Sequence, residues 1–164
     1  NLVKSTGIVC HPNTIMDYVI FLRDACLIFS LTNYVSKFSE RETTKKHYFI
    51  DNGIPHIFLN DDKTFLLENL CAIYLYQKYG DEQLFFYNKN IEVDFYIPEH
   101  HTAIQSCYSM RDIQTFEREV NALLKLHSFE HLDKAYIITY DEEKTIIKND
   151  ITIEIMPIWK WILQ

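Results

Sequence analysis

At 164 residues, with 48% hydrophobic and 24% charged side chains, the chain has the composition of a soluble globular protein and the length for one well-buried domain or a compact domain beside a small module. Glycine is confined to Gly7, Gly53 and Gly80, which excludes the G-x-x-x-x-G-K-[S/T] and G-x-G-x-x-G phosphate cradles. A net charge of −7 argues against a surface that attracts nucleic acid everywhere and leaves room only for a local basic face.

Leu2 to Gly7 reads as the end of a short helix closed by glycine, and His11-Pro12-Asn13-Thr14 offers a cap for a second. Ile15, Val19, Leu22 and Cys26 then recur at helical spacing. Leu27 to Tyr34 and Lys46 to Ile50 are β-rich, and the polar stretch Ser36 to Lys45 between them suits a wing hairpin. The first 46 residues thus read as an incomplete winged helix. Asn52-Gly53 is a turn after the strand His47 to Asp51, and 54–59 holds one or two helical turns. Asp62 caps a helix from Lys63 to Tyr79 that buries Leu66, Leu67, Leu70, Ile73 and Tyr74 and ends at Gly80.

Three strands follow, Gln83 to Tyr87, Ile91 to Ile97 and Thr102 to Tyr108. Asp112 caps a helix to about His127, with Phe116, Val120, Leu123, Leu124 and His127 in one stripe. Lys134 to Tyr140 is a near-continuous apolar strand of the kind buried on both faces. After a short hairpin strand, Ile151 to Met156 forms the last strand, and Pro157 opens a helix with Trp159 and Trp161. This order predicts a mixed sheet with helices on both faces, residues 47–164 forming the α/β domain and 1–46 the winged-helix-like segment.

Cys10, Cys26, Cys71 and Cys107 are dispersed without zinc-ligand spacing, and Cys26 and Cys71 lie in apolar stretches, so reduced, buried thiols of a cytoplasmic protein are expected. No apolar run is long enough to cross a bilayer, nothing resembles a signal peptide, and a start at Asn1 suggests a segment cut from a longer chain.

The strands Ile91 to Ile97 and Ala103 to Tyr108 alternate in a way that puts an acid, Asp94, beside an amide and a thiol two residues apart, Gln105 and Cys107. Metal-dependent phosphodiesterases of the PD-(D/E)XK type place a carboxylate on one strand and acid-x-lysine on the next, so that a divalent ion and an ammonium share a sheet edge. Here the lysine position is Cys107.

Further segments widen the likeness: Asn13-Thr14-Ile15 with Tyr18, Leu22 and Leu27-Ile28, then Lys46-His47-Tyr48-Phe49-Ile50-Asp51-Asn52-Gly53, Leu66-Leu67-Glu68-Asn69-Leu70, Glu92-Val93-Asp94-Phe95, and Ile104-Gln105 with Cys107-Tyr108. In order and spacing these resemble, over nearly the whole chain, the C-terminal domain of unknown function found in prokaryotic AAA-type P-loop ATPases. The resemblance implies a restriction-endonuclease-like mixed sheet flanked by helices, preceded by a winged-helix remnant, with the ATP-binding domain in a missing N-terminal part. It implies a degenerate active site of Glu68, Asp94 and Gln105. Glu68 and Asp94 would hold Mg²⁺ through two oxygens and Gln105 would add a neutral one. A neutral thiol at Cys107 can neither orient water nor offset phosphate charge, so a relocated cation is needed, and Arg111, Arg118 and Lys89 are the candidates.

Plainer readings stand beside these. Asp94 also fits an exposed strand carboxylate, Glu68 a half-buried acid paired with a lysine, and Cys107 an inert buried thiol with no catalytic His partner. His100-His101 points to opposite faces of a strand and fits a surface turn better than a metal site. Lys37, Arg41, Lys45 and Lys46 form the local basic patch on the expected wing, interrupted by Glu40 and Glu42, and fit phosphate contact or a solvated loop. Asp17 and Asp24 beside Arg23 argue against major-groove docking by the preceding helix. Trp159 and Trp161 suit core closure better than base stacking. The function expected is an accessory recognition module of a P-loop ATPase, binding nucleic acid or regulating the ATPase core, with no membrane partner. The alternative is an Mg²⁺-dependent PD-(D/E)XK nuclease with a relocated lysine or arginine.

Overall fold

The computed structural model describes residues 11–41, 44–58 and 62–164. Its elements in chain order are α1 (Pro12–Asp24), β1 (Ile28–Asn33), β2 (Lys46–Phe49), α2 (Gly53–Phe58), α3 (Lys63–Gln83), β3 (Phe85–Asn88), β4 (Glu92–Ile97), β5 (Thr102–Ser106), α4 (Ile113–Glu130), β6 (Lys134–Thr139), β7 (Lys144–Lys148), β8 (Ile151–Pro157) and α5 (Ile158–Ile162). Among the described residues eight strands form one sheet in the order β2-β1-β3-β4-β5-β6-β8-β7. It is a mixed sheet. The pairs β1–β2, β3–β4, β4–β5 and β7–β8 are antiparallel, and β1–β3, β5–β6 and β6–β8 are parallel.

Strand alternation sorts the core into two layers, with β4 shifting step between Val93 and Phe95, which fall in opposite layers. On one face Phe95, Ile97, Ile104, Ile138 and Met156 pack with Leu67, Cys71, Ala72 and Leu75 of α3 and with Trp161 of α5. On the other, Val93, Tyr96, Ala103, Ala135, Ile137 and Ile155 meet Val120, Leu123, Leu124 and Leu126 of α4. Both long helices start as the sequence predicts: the Asp62 carboxylate accepts the Phe65 N–H and the Asp112 carboxylate accepts the Thr115 N–H. Gly80, at φ 70° and ψ −170°, interrupts α3 where the expected helix ends, and the chain resumes one further turn before β3.

Several expectations need correction. The boundary placed at 46/47 falls inside β2, and the β1–β2 hairpin is not a separate wing, because Thr32 and Asn33 of β1 pair in parallel with Phe85 and Phe86 of β3. The described part of the first segment therefore extends the main sheet. Its expected first helix, Leu2 to Gly7, and Cys10 lie outside the described residues. Cys26 is exposed at φ 54° just beyond α1, whereas Cys71 and Cys107 are buried. β5 stops at Ser106, so Cys107 follows the strand rather than belonging to it. Trp161 closes the core, but Trp159 is exposed.

Candidate functional site

The β4–β5 ladder pairs Ile97 with Thr102, Tyr96 with Ala103 and Phe95 with Ile104. One residue further, side chains replace backbone. Gln105 Oε1 accepts the Asp94 N–H at 2.8 Å, and Gln105 Nε2 donates to the Glu92 carbonyl at 3.1 Å. Asp94 Oδ2 accepts the Ser106 N–H at 3.0 Å and the Ser106 hydroxyl at 3.2 Å. Each bridge interposes a side chain where a ladder would join two backbones directly, so the strands splay. The splay opens a cleft of about 590 Å³ with Thr64 and Glu68 of α3 on one wall, Glu92, Asp94, Gln105 and Ser106 below, and Arg118, Glu119, Asn121 and Lys125 of α4 on the other wall.

Beside this cleft β2 places Lys46, against three of the carboxylates that line it. Its Nζ donates to Glu92 Oε1 at 2.8 Å and Asp94 Oδ1 at 3.1 Å, and lies 3.5 Å from Glu68 Oε1. The side chain passes the Phe86 ring, whose centroid is 5.6 Å from Nζ. Tyr48, two residues on and therefore on the same strand face, donates its hydroxyl to Glu68 Oε1 at 2.8 Å. Burial by itself would lower the Lys46 pKa, but the Asp94, Glu68 and Glu92 carboxylates outweigh it and hold the ammonium above its ordinary range. Glu68 is shifted upward, first by burial and then by Asp94, against the opposing pull of Lys46 and Tyr48. Glu119, almost fully buried, is also raised by burial, although Arg118 Nη2 lies 2.6 Å from its Oε1.

The structure thus brings Glu68 and Asp94 to one ammonium. Gln105 lines the same cleft, its carboxamide oxygen accepting the Asp94 N–H and its amide nitrogen donating to the Glu92 carbonyl. Cys107 is buried, donates its thiol to the Ser109 carbonyl at 3.2 Å, and has its pKa pushed up to about 11, mainly by burial. It is a neutral thiol at physiological pH. Of the three relocated cations considered, Arg118 lines the cleft, Arg111 reaches Asp141 at 3.6 Å on the surface, and Lys89 is not part of the lining. His100 ends a 3-10 turn and His101 follows it at φ 43°.

Sequence reasoning missed Lys46 as the partner of the cleft carboxylates, because a run of basic residues beside a polar loop reads as a solvated wing. The signal that identifies it is the strand period: Lys46 shares a face with Tyr48, and Tyr48 is 2% exposed. Among the described residues no three His, Cys, Asp or Glu side chains are grouped to hold a metal ion. Glu68 and Asp94 carry oxygens of the type a hard cation takes, and one oxygen of each lies against Lys46 Nζ.

Comparison with known proteins adds one relative. The chain is 35% identical, over 175 aligned positions, to an uncharacterized protein, MJ1544, of Methanocaldococcus jannaschii; the alignment takes in 99% of this chain and 39% of that protein. The chain therefore spans about two fifths of the length of the curated relative it matches. No family model matches, and no solved structure matches. No helix among the described residues is long and apolar enough to cross a membrane.

Proposed function

We propose that the chain is an accessory recognition module with a restriction-endonuclease-like α/β domain, working beside a P-loop ATPase domain of a longer protein, and that its degenerate cleft receives the phosphate backbone of nucleic acid without cutting it. The observation that carries this reading is the position of Lys46. Its ammonium lies 3.1 Å from Asp94 Oδ1 and 3.5 Å from Glu68 Oε1, so the polypeptide itself supplies a cation where the family resemblance implies a divalent one. The neutral thiol of Cys107 points the same way. Support for the nuclease-like architecture comes from the order α3-β3-β4-β5-α4-β6, with β3, β4 and β5 antiparallel and β6 parallel to β5. The ATPase partner rests on the sequence resemblance.

A second reading, an Mg²⁺-dependent nuclease, is favoured by a lysine nitrogen 3.1 Å from Asp94 Oδ1, a carboxylate that lines the cleft. There Lys46 would be the relocated lysine, and Asp94 and Glu68 would hold the ion after Nζ moves aside. The deciding experiment incubates the protein with single- and double-stranded DNA and RNA, with and without Mg²⁺ or Mn²⁺, beside Asp94→Ala. Metal-dependent cleavage that disappears in the variant would establish the second reading and sink the first. Salt-sensitive binding without cleavage supports the recognition module. Absence of binding refutes both and leaves regulation of the ATPase core as the role of the domain.

A further inference from the structure

Helix α4 carries Arg118, Asn121 and Lys125 at i, i+3 and i+7, a spacing that aligns side chains along one helix face, and all three line the cleft wall opposite Glu68. Arg118 is held in place from below: its Nε and Nη2 donate to Oε1 of the nearly buried Glu119 at 3.0 and 2.6 Å. A guanidinium has five N–H donors, and a partner fixed within the fold reduces the rotamer freedom lost when the rest of the fork meets a ligand. Lys125 lies two helical turns further on, roughly 10 Å along the axis. The opposite wall and the floor carry Glu68, Glu92 and Asp94, whose charge is partly offset by Lys46, while on the α4 side Glu119 offsets only Arg118 and leaves Lys125 uncompensated within the lining. The two walls therefore differ in sign, and an anion entering the cleft is drawn to the α4 side and repelled from the opposite one.

From this asymmetry we infer that Arg118, Asn121 and Lys125 form a rail for successive phosphates of one nucleic-acid strand, which runs along the α4 wall. Arginine and lysine supply the charge, and the Asn121 carboxamide between them supplies a neutral donor to the same backbone. Contacts of this kind position a strand and carry no sequence information. The inference rests on the recognition reading above and adds the side of the cleft on which the strand lies.

The test measures fluorescence anisotropy of a labelled 20-nucleotide single strand and the matching duplex, across a salt series, with the wild-type protein, R118Q/K125Q, K46M and the control K134Q/K148Q. Both doubles remove two exposed charges, and the control pair lies at the start of β6 and on the edge strand β7. We expect R118Q/K125Q to bind at least tenfold more weakly at low salt. Its plot of log affinity against log salt should flatten by about 1.4 for the single strand or about 1.8 for the duplex, the change for two lost phosphate contacts. The control should stay within about twofold of wild type, and thermal melting of all variants establishes that each is folded. Equal weakening by the two doubles would reduce the effect to net charge and overturn the rail. Loss of binding in K46M with R118Q/K125Q unchanged would overturn the rail and leave the recognition reading standing. No binding by the wild type would overturn both.

Discussion

The most consequential side chain in this protein is a lysine that holds two roles at once. Lys46 offsets the repulsion between Glu68 and Asp94, and it ties β2 to β4 across the intervening strands. Replacing it by methionine leaves two half-buried carboxylates facing each other, and we expect a loss of about 2–3 kcal/mol at pH 8, toward the lower end for breaking a buried pair because the cleft is open. Glu68 is already held above its ordinary pKa, by burial first and Asp94 next, and the lysine is one of the groups pulling it down. A carboxyl raised in the folded state favours folding while protonated and withdraws that support as pH rises through its folded value. The penalty for K46M should therefore shrink on acidification from pH 8 to 5, which urea unfolding at the two pH values measures. A penalty independent of pH would refute the coupling. Gln105 gives a second prediction. Glutamate at 105, the acid that the nuclease motif prefers, can still accept the Asp94 N–H but has no donor for the Glu92 carbonyl and adds charge beside Asp94. Q105E should lose about 2 kcal/mol at neutral pH by the same denaturation assay. Unchanged stability together with newly acquired Mg²⁺ binding would show that Gln105 is a ligand position and not a wedge.

Among the elements, helices and buried strands were legible because their signals are local. Asp62 and Asp112 announce two helix starts, and the apolar runs at 134–140 and 151–156 announce two strands of the sheet interior. What the sequence could not reveal was partnership. Whether a polar-rimmed hairpin forms a separate wing or an extension of a sheet depends on the strand beside it, and Asn33 supplies that join: its Nδ2 donates to the Asn88 carbonyl at 2.7 Å and its Oδ1 accepts the Asn88 N–H at 2.9 Å. Asp94 drew attention through strand alternation and Glu68 only through the family resemblance, while the contact of Lys46 with both was not legible, because its partners are 22 and 48 residues away. Gly80 yields a prediction at this scale. Its φ of 70° with ψ −170° lies where L side chains are strained, and an added Cβ would meet nothing within 4 Å, so the cost of Gly80→Ala is that of the backbone alone. We expect about 1–3 kcal/mol, read as a lowered thermal midpoint, and an unchanged midpoint would mean that the α3–β3 junction relaxes freely.

For the molecule as a whole, the two ends of the sheet are finished differently. At the β2 end, the fully buried Asn69 of α3 takes both backbone groups of Phe49, with Oδ1 accepting the N–H at 2.8 Å and Nδ2 donating to the carbonyl at 3.0 Å. The β7 end is bounded by Lys144 and Lys148, with Ile147 79% exposed between them. Lysines on an edge strand oppose pairing with a second sheet. Lys148→Val should therefore give concentration-dependent self-association, visible by light scattering, whereas a variant that stays monodisperse would mean that edge charge is not what keeps copies apart. The splay between β4 and β5 bears on how the cleft moves. Its outer rungs are rotatable side chains, while Phe95, Tyr96 and Ile97 keep backbone pairing. The cleft can thus widen by rotamer changes at Gln105 and Asp94 with the sheet intact, so that hydrogen exchange at the Asp94 and Ser106 amides clocks the breathing of the site, and exchange at the ladder behind them clocks the unfolding of the domain.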